Sequence, residues 1–160
     1  MRSNYRNRYP IDNRYDYYSR PQNIVCCCPK CGEKVDFSSS RDDGFPKIGE
    51  GVYQVVRLKV PNLLFGKGLC RKCGLSIKEV LWPEDSYYKI EVKGGLAWAW
   101  NFNYLIILRD RISGKRYPDR HYINIDSSAL YYLARIPKFV VIKTNREKLI
   151  KQIERFISNR

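Results

Sequence analysis

Apolar and polar residues alternate through the middle of the chain and predict β-strands, because side chains two residues apart share one face of a strand. Glycine, proline and asparagine separate these segments, as is typical of turns. The predicted strands are a hairpin within residues 24–37, followed by 52–60, 75–82, 87–93, 96–108 and 121–125. Five or six consecutive strands joined by turns predict an antiparallel β-meander or a small barrel.

One of these predicted strands carries large aromatic side chains at every second position. Trp98, Trp100, Phe102 and Tyr104 would all point to the same face of a strand over residues 96–108. We expect this face to be core, because large aromatic residues in strands are usually buried. The alternative is an open stacking platform for single-stranded nucleic acid.

The last third of the chain changes from strands to helices. A short helix is expected over residues 129–135, stopped by Pro137, and a buried strand over 138–143. The segment from Thr144 to Glu147 resembles a capping box that begins a final helix. The apolar stripe of this amphipathic helix consists of Leu149, Ile150, Ile153, Phe156 and Ile157. The predicted fold class is therefore α+β, with a C-terminal helix covering the sheet.

Residues 1–22 differ in composition from the rest of the chain. Five arginines alternate with five tyrosines in this segment, and aliphatic residues are almost absent. Such a segment cannot bury enough apolar surface to fold alone. We expect a flexible arm over residues 1–22, which either lies on nucleic acid or serves as a solubilising tail, and a single folded domain over residues 23–160.

The charge of the chain points to a polyanionic partner. The 30 lysines and arginines exceed the 16 aspartates and glutamates and give a formal net charge of +14. Nucleic acid, either RNA or DNA, is the first candidate, and an anionic membrane surface is the second. The longest apolar stretch is too short to span a bilayer, so we expect no membrane insertion. The N-terminus has no apolar stretch typical of a signal peptide, which favours the cytoplasm or another reducing compartment.

Two short segments supply four cysteines in pairs, Cys28-Pro29-Lys30-Cys31-Gly32 and Cys70-Arg71-Lys72-Cys73-Gly74. Two residues between the cysteines allow one tight turn to direct both sulfurs at the same ion. The glycine that follows tolerates the positive φ that closes such a turn. Four thiolates in two C-x-x-C pairs predict a closed tetrahedral zinc site with Cys28, Cys31, Cys70 and Cys73 as ligands.

The paired C-x-x-C-G knuckles resemble the zinc ribbon over roughly residues 24–82. The 38 residues between the knuckles exceed the usual gap of about 15–20, which indicates an insertion within the ribbon. The remaining sheet and helix, about residues 83–160, resemble no family. The resemblance implies a metal and a role in binding rather than a reaction.

The cysteines leave alternatives open. A mononuclear iron site also accepts paired C-x-x-C-G knuckles. Disulfides are disfavoured in a reducing compartment. Cys26 and Cys27 are left over, and each is expected to be a small buried side chain, although Cys26 could replace Cys28 as a ligand.

The function predicted from these features is non-catalytic binding of nucleic acid, within a nucleoprotein assembly that includes other proteins. Basic side chains in the arm, the knuckles and the last helix would contact phosphates. They are Arg6, Arg8, Arg14, Lys30, Arg71, Lys72, Lys148, Lys151 and Arg155. The alternative is a protein-interaction adaptor whose basic surface meets an acidic partner.

A catalytic alternative depends on Glu91-Val92-Lys93, which resembles the E-x-K strand of restriction-endonuclease-like nucleases. That resemblance implies a metal held by Glu91 and a second carboxylate, with Lys93 acting on water or on developing charge. Asp85 is the candidate second carboxylate. A helix should follow such a strand, whereas the pattern here predicts another strand.

Overall fold

A computed structural model describes residues 20–40, 47–49, 52–53 and 62–160. The strands are β1 (Asn23–Cys27), β2 (Lys34–Ser39), β3 (Lys47–Gly49), β4 (Val52–Tyr53), β5 (Leu63–Leu69), β6 (Ser76–Leu81), β7 (Tyr88–Val92) and β8 (Gly95–Ala99). The helices are α1 (Phe102–Ile112), α2 (Asp119–Ile125), α3 (Ala129–Ala134), α4 (Lys138–Val141) and α5 (Lys143–Ser158). Residues 1–19 of the predicted arm and 54–60 of one predicted strand lie outside the described residues.

A four-stranded antiparallel sheet of order β1-β2-β5-β6 contains both cysteine knuckles. One knuckle connects β1 to β2, and the other connects β5 to β6. The two-stranded pair β3–β4 lies between β2 and β5 in sequence, as expected for an insertion between the knuckles. An antiparallel sheet is therefore present, but its four strands lie within residues 23–81, and the predicted sheet after residue 83 is reduced to a two-stranded hairpin. No sheet closes into a barrel in the part of the chain that the structure describes.

The segment after β6 joins this sheet to the rest of the fold. The amide of Cys27 donates to the carbonyl of Asp85 at 2.8 Å, and the amide of Tyr87 donates to the carbonyl of Val25 at 3.1 Å. These bonds give hydrogen-bond partners to backbone groups along the outer edge of β1. The chain then forms the β7–β8 hairpin, which turns at Gly94 and Gly95 as predicted.

The predicted strand over residues 96–108 is wrong beyond Ala99. The chain turns there and forms α1, and the side-chain oxygen of Asn101 caps this helix by accepting from the amide of Tyr104 at 3.3 Å. Every residue from Tyr104 to Leu108 is apolar, so both strand and helix periods fit this stretch. The cap decides between them, because it satisfies an amide that begins the helix.

The aromatic residues of that segment belong to the core as we expected, with Trp100 and Tyr104 buried and Trp98 and Phe102 partly buried against it. Trp82 and Trp100 stack with ring centroids 4.5 Å apart, and Trp98 meets both rings edge-on. The hydroxyl of Tyr132 in α3 donates to the carbonyl of Trp98 at 2.6 Å. This cluster holds the four-stranded sheet, the β7–β8 hairpin and the helices together.

Two more predicted strands are helices. Residues 121–125 belong to α2, and residues 138–141 form the short helix α4. Each helix follows a proline, Pro118 with a φ of −62° or Pro137 with a φ of −64°. Proline favours a helix start because its ring sets φ and it has no amide proton to satisfy. The predicted helix over residues 129–135 is confirmed as α3.

The C-terminal helix α5 is confirmed, and it packs against α1, α4 and β7. Leu149 and Ile153 are fully buried, and the rest of the predicted apolar stripe is partly buried. The predicted capping box is wrong, because α5 begins at Lys143 without a side-chain cap. Among the described residues, no helix has both the length and the apolar character needed to cross a membrane.

Asn145 has a different role from the one that the capping pattern suggests. Its buried side-chain amide donates to the carbonyls of Lys93 and Phe139, both at 2.8 Å. The side chain therefore ties the β7–β8 turn and α4 to the start of α5.

We expect Asn145→Ala to lower the free energy of unfolding by about 1–3 kcal/mol, because two carbonyls lose their donor in a partly buried position. Urea unfolding of the full chain measures this change. Thr144→Ala is the matched control, since Thr144 is exposed and its loss should cost no more than about 0.5 kcal/mol. Equal stability of the two variants would contradict the role of Asn145.

Candidate metal centre and basic side chains

The two knuckles have the same backbone geometry. The amide of Gly32 donates to the carbonyl of Cys28 at 2.9 Å, and the amide of Gly74 donates to the carbonyl of Cys70 at 2.8 Å. These glycines have φ values of +74° and +72°. A Cβ atom would meet no other atom within 4 Å at either position, so the positive φ rather than space explains the glycine.

The knuckles bring four sulfur atoms together. The sulfurs of Cys28 and Cys73 are 3.6 Å apart, those of Cys31 and Cys70 are 3.5 Å apart, and all four lie within 4.8 Å of one another. A tetrahedral ion with metal–sulfur bonds of about 2.3 Å would place its ligands about 3.8 Å apart. The distances are too long for disulfides, which have sulfur–sulfur bonds of about 2.05 Å. The cluster is within metal-binding distance and is consistent with a zinc-ribbon-like site.

The donor set fits a structural metal ion. Cys28 and Cys70 are buried, and Cys31 and Cys73 are half-buried. Four protein thiols fill a tetrahedral coordination shell and leave no position for water or substrate. Within the described ranges, this is the only group of three or more histidine, cysteine or acidic side chains arranged to hold a metal ion.

The thiols differ in how readily they ionise. Burial raises the pKa of Cys28, but backbone hydrogen bonds from Cys31 and Lys30 and a bond from the Cys73 thiol lower it to about 7. The amide of Glu33 lowers the pKa of Cys31, but burial and the neighbouring thiols outweigh it and raise the pKa to about 12. A bound metal ion must therefore displace protons from this cluster.

The two remaining cysteines lie outside the cluster. Cys26 is fully buried, and burial together with nearby Asp85 raises the pKa of its thiol to about 12. The Cys27 thiol donates to the carbonyl of Gly32 at 3.4 Å. The structure thus places Cys28, rather than Cys26, with the other three sulfurs.

Both knuckles carry exposed basic side chains. Lys30, Arg71 and Lys72 are all exposed, and the Lys72 ammonium lies 3.8 Å from the carboxylate of Glu33 in the other knuckle. Sequence reasoning missed Glu33, because nothing local indicates that it faces the second knuckle.

The other predicted phosphate contacts are distributed between the last helix and the arm. Lys148, Lys151 and Arg155 are exposed on α5. Arg6, Arg8 and Arg14 lie outside the described residues. Nucleic-acid contact by any of these side chains stays a prediction.

The candidate nuclease residues have the following surroundings. Glu91 and Lys93 are exposed near the β7–β8 turn, and β8 rather than a helix follows β7 directly. The carboxylate of Asp85 accepts a hydrogen bond from the amide of Leu81 at 2.7 Å. The nuclease alternative at Asp85, Glu91 and Lys93 stays untested, and we predict no catalytic residue.

Comparisons with known proteins do not assign the chain to a family. No protein-family model matches the chain, and neither the curated proteins nor the solved structures contain a match. The fold and the site thus define the protein only as an α+β chain with a four-cysteine cluster at metal-binding distance.

We expect Cys70→Ser to remove the bound metal, because the Cys70 sulfur is fully buried within the four-sulfur cluster. The purified wild-type protein should carry about one metal ion per chain, and the variant should carry almost none. Elemental analysis of reduced protein measures the content. Limited proteolysis should cut the knuckles of the variant first, since the ion substitutes for core there.

Cys27→Ser is the matched control for that variant. It changes a neighbouring cysteine that lies outside the cluster and should retain the wild-type metal content. Loss of metal in both variants would contradict the ligand set, as would wild-type protein without zinc or iron. The ratio of the two elements decides between the zinc and iron interpretations.

Proposed function

We propose that the protein is a zinc-stabilised module that binds nucleic acid, RNA or DNA, without catalysing a reaction. The observation that carries this proposal is the approach of the two knuckles, one of which carries exposed Lys30 and the other exposed Arg71 and Lys72. These side chains come from turns that are far apart in the sequence, with 38 residues between Cys31 and Cys70.

Zinc supports the proposal as a structural element. The tetrathiolate shell suits zinc, and a closed shell gives the ion no position for a reacting group. Each knuckle is a tight turn with little apolar core of its own. The ion would hold both turns rigid, so that the basic side chains between the cysteines stay exposed together.

The distribution of charge supports a polyanion as the ligand. Lys30 and Lys72 occupy the same position in their respective knuckles, the residue before the second cysteine. The exposed row Lys148, Lys151 and Arg155 on α5 adds a second group of cations. Phosphate contacts of this kind position a nucleic acid without reading its sequence. We therefore propose a binder with little base specificity.

We expect Lys30→Glu combined with Arg71→Glu to weaken binding of a labelled single-stranded RNA and of a DNA duplex by at least about tenfold. The slope of log affinity against log salt should fall by about one for each phosphate that the variant no longer neutralises. Fluorescence anisotropy over a salt series measures both quantities.

The control has the same change in charge at other exposed positions, Lys115→Glu combined with Lys138→Glu. It should bind more tightly than the knuckle variant. If the two variants bind equally, net charge rather than the knuckles determines affinity. If the wild-type protein binds neither oligonucleotide at low salt, the proposed function is wrong.

A second test concerns the arginine–tyrosine arm. Deleting residues 1–19 removes Arg6, Arg8 and Arg14 and should weaken binding and lower the salt slope. The deletion retains Gln22, whose carbonyl accepts hydrogen bonds from both the amide and the hydroxyl of Ser39. The melting temperature should therefore change little. Unchanged affinity would exclude the arm from the interface.

A further inference from the structure

A broad groove lies on the sheet that carries the knuckles. It has a volume of about 1140 Å³, and residues of β2, β5 and β6 line it. Sites for small molecules usually measure about 300–1,000 Å³, so this groove has room for part of a polymer. The sheet groove, as we call it, is lined by Ser38, Phe65, Lys67, Leu69, Ser76 and Lys78 among others.

Two exposed lysines are neighbours in the sheet groove. Gly68 of β5 pairs with Ile77 of β6, so Lys67, which precedes Gly68, lies beside Lys78, which follows Ile77. The register shifts at this point as in a β-bulge, and bulges often redirect a side chain next to a functional site. Like charges in neighbouring strands destabilise a sheet. Stability of the sheet therefore does not account for this pair.

The sheet groove has too few carboxylates to neutralise the two lysines. Neither Lys67 nor Lys78 forms an ion pair with a carboxylate of the described residues. Asp36 is the one acidic side chain among the described residues that line the groove. Ser38 lies directly opposite Lys67 in β2, and its hydroxyl is a donor of the kind that contacts phosphate oxygens. Charge and hydrogen bonding thus suit a phosphate-bearing ligand.

Two apolar side chains flank these cations. Phe65 is half-buried, and Leu69, at 62%, is the most exposed large apolar residue of the described chain. A phenylalanine ring stacks on a base whatever its identity, but only an unpaired base offers its face. Leu69 directly precedes Cys70, so the sheet groove reaches the second knuckle with its exposed Arg71 and Lys72.

We propose that the sheet groove binds an unpaired segment of nucleic acid, with Lys67 and Lys78 on its phosphates and Phe65 stacked on a base. Phe65 and Leu69 are four residues apart on β5, a distance of about 13 Å along the strand. The bound segment then continues from the groove to the knuckle cations. This inference rests on the proposed function and deepens it, because it names single strands as the ligand.

Lys67→Ser combined with Lys78→Ser tests the phosphate contacts in the full chain. The probe is a labelled oligothymidylate of about 12 nucleotides, within the length that single-strand sites cover. The control, Lys115→Ser combined with Lys138→Ser, removes the same charge from exposed positions outside the groove. The groove variant should bind the probe at least about tenfold more weakly than the control. Fluorescence anisotropy measures both affinities at one salt concentration.

Phe65→Leu tests base stacking, because leucine retains apolar bulk but has no ring. Affinity for the oligothymidylate should fall at least about fivefold, whereas affinity for a DNA duplex of the same length should not change. An equal loss for both probes would contradict stacking and indicate lost packing instead. Circular dichroism checks that the variant is folded, and the lysine variant tests the sheet groove independently because it changes only exposed side chains.

Lysine acetylation gives a readout that needs no substitution. Bound oligothymidylate should protect Lys67 and Lys78 from acetylation, whereas Lys138 should react at the same rate in the free and the bound protein. Mass spectrometry of the digested chain measures the three rates. If Lys67 and Lys78 are already unreactive in the free protein, another part of the chain occupies the sheet groove and the proposal is wrong.

Failure of this inference is distinguishable from failure of the proposed function. If the wild-type protein binds the oligothymidylate and the groove variant binds it as tightly as the control, the sheet groove is excluded but nucleic-acid binding stands. The same holds if the wild-type protein binds only the duplex. If it binds neither probe at low salt, both proposals are wrong.

Discussion

The meeting of four sulfur atoms at one point is the constraint on which the rest of the sheet depends. In an antiparallel meander of order β1-β2-β5-β6, the β1–β2 and β5–β6 connections lie at the same end of the sheet. The pairing of β2 with β5 brings these connections side by side, although the sequence separates them by an insertion. The four sulfur atoms lie close enough for one metal ion to bind them all in place of their protons.

The aromatic cluster joins the sheet that carries the knuckles to the helical part of the protein. Trp82 follows the last strand of the sheet and Trp100 follows β8, and their stacked rings join the two regions. The amide of Val25 in β1 also donates to the carbonyl of Trp100 at 2.7 Å. The strand that leads into the first knuckle is thus bonded directly to the start of the helical region. Knuckles and helices belong to one packed structure rather than to two independent modules.

Features set by short-range chemistry could be predicted from the sequence, and features set by tertiary context could not. The knuckles are local, because a C-x-x-C-G segment specifies its own turn, and the apolar stripe of α5 has one clear period. The segment around Leu105 is apolar at every position, so its pattern fits a strand and a helix equally well. Pro118 and Pro137 did offer a local helix-start signal, which the alternation around them obscured. The role of Asn145 could not be predicted from the sequence, because its partners Lys93 and Phe139 are known only once the fold is known.

The net charge of +14 does not by itself identify a partner, since phosphates and carboxylates respond to it alike. The knuckle cations Lys30, Arg71 and Lys72 stand on turns that the four-cysteine cluster brings side by side, and for this reason we propose phosphates as their ligand.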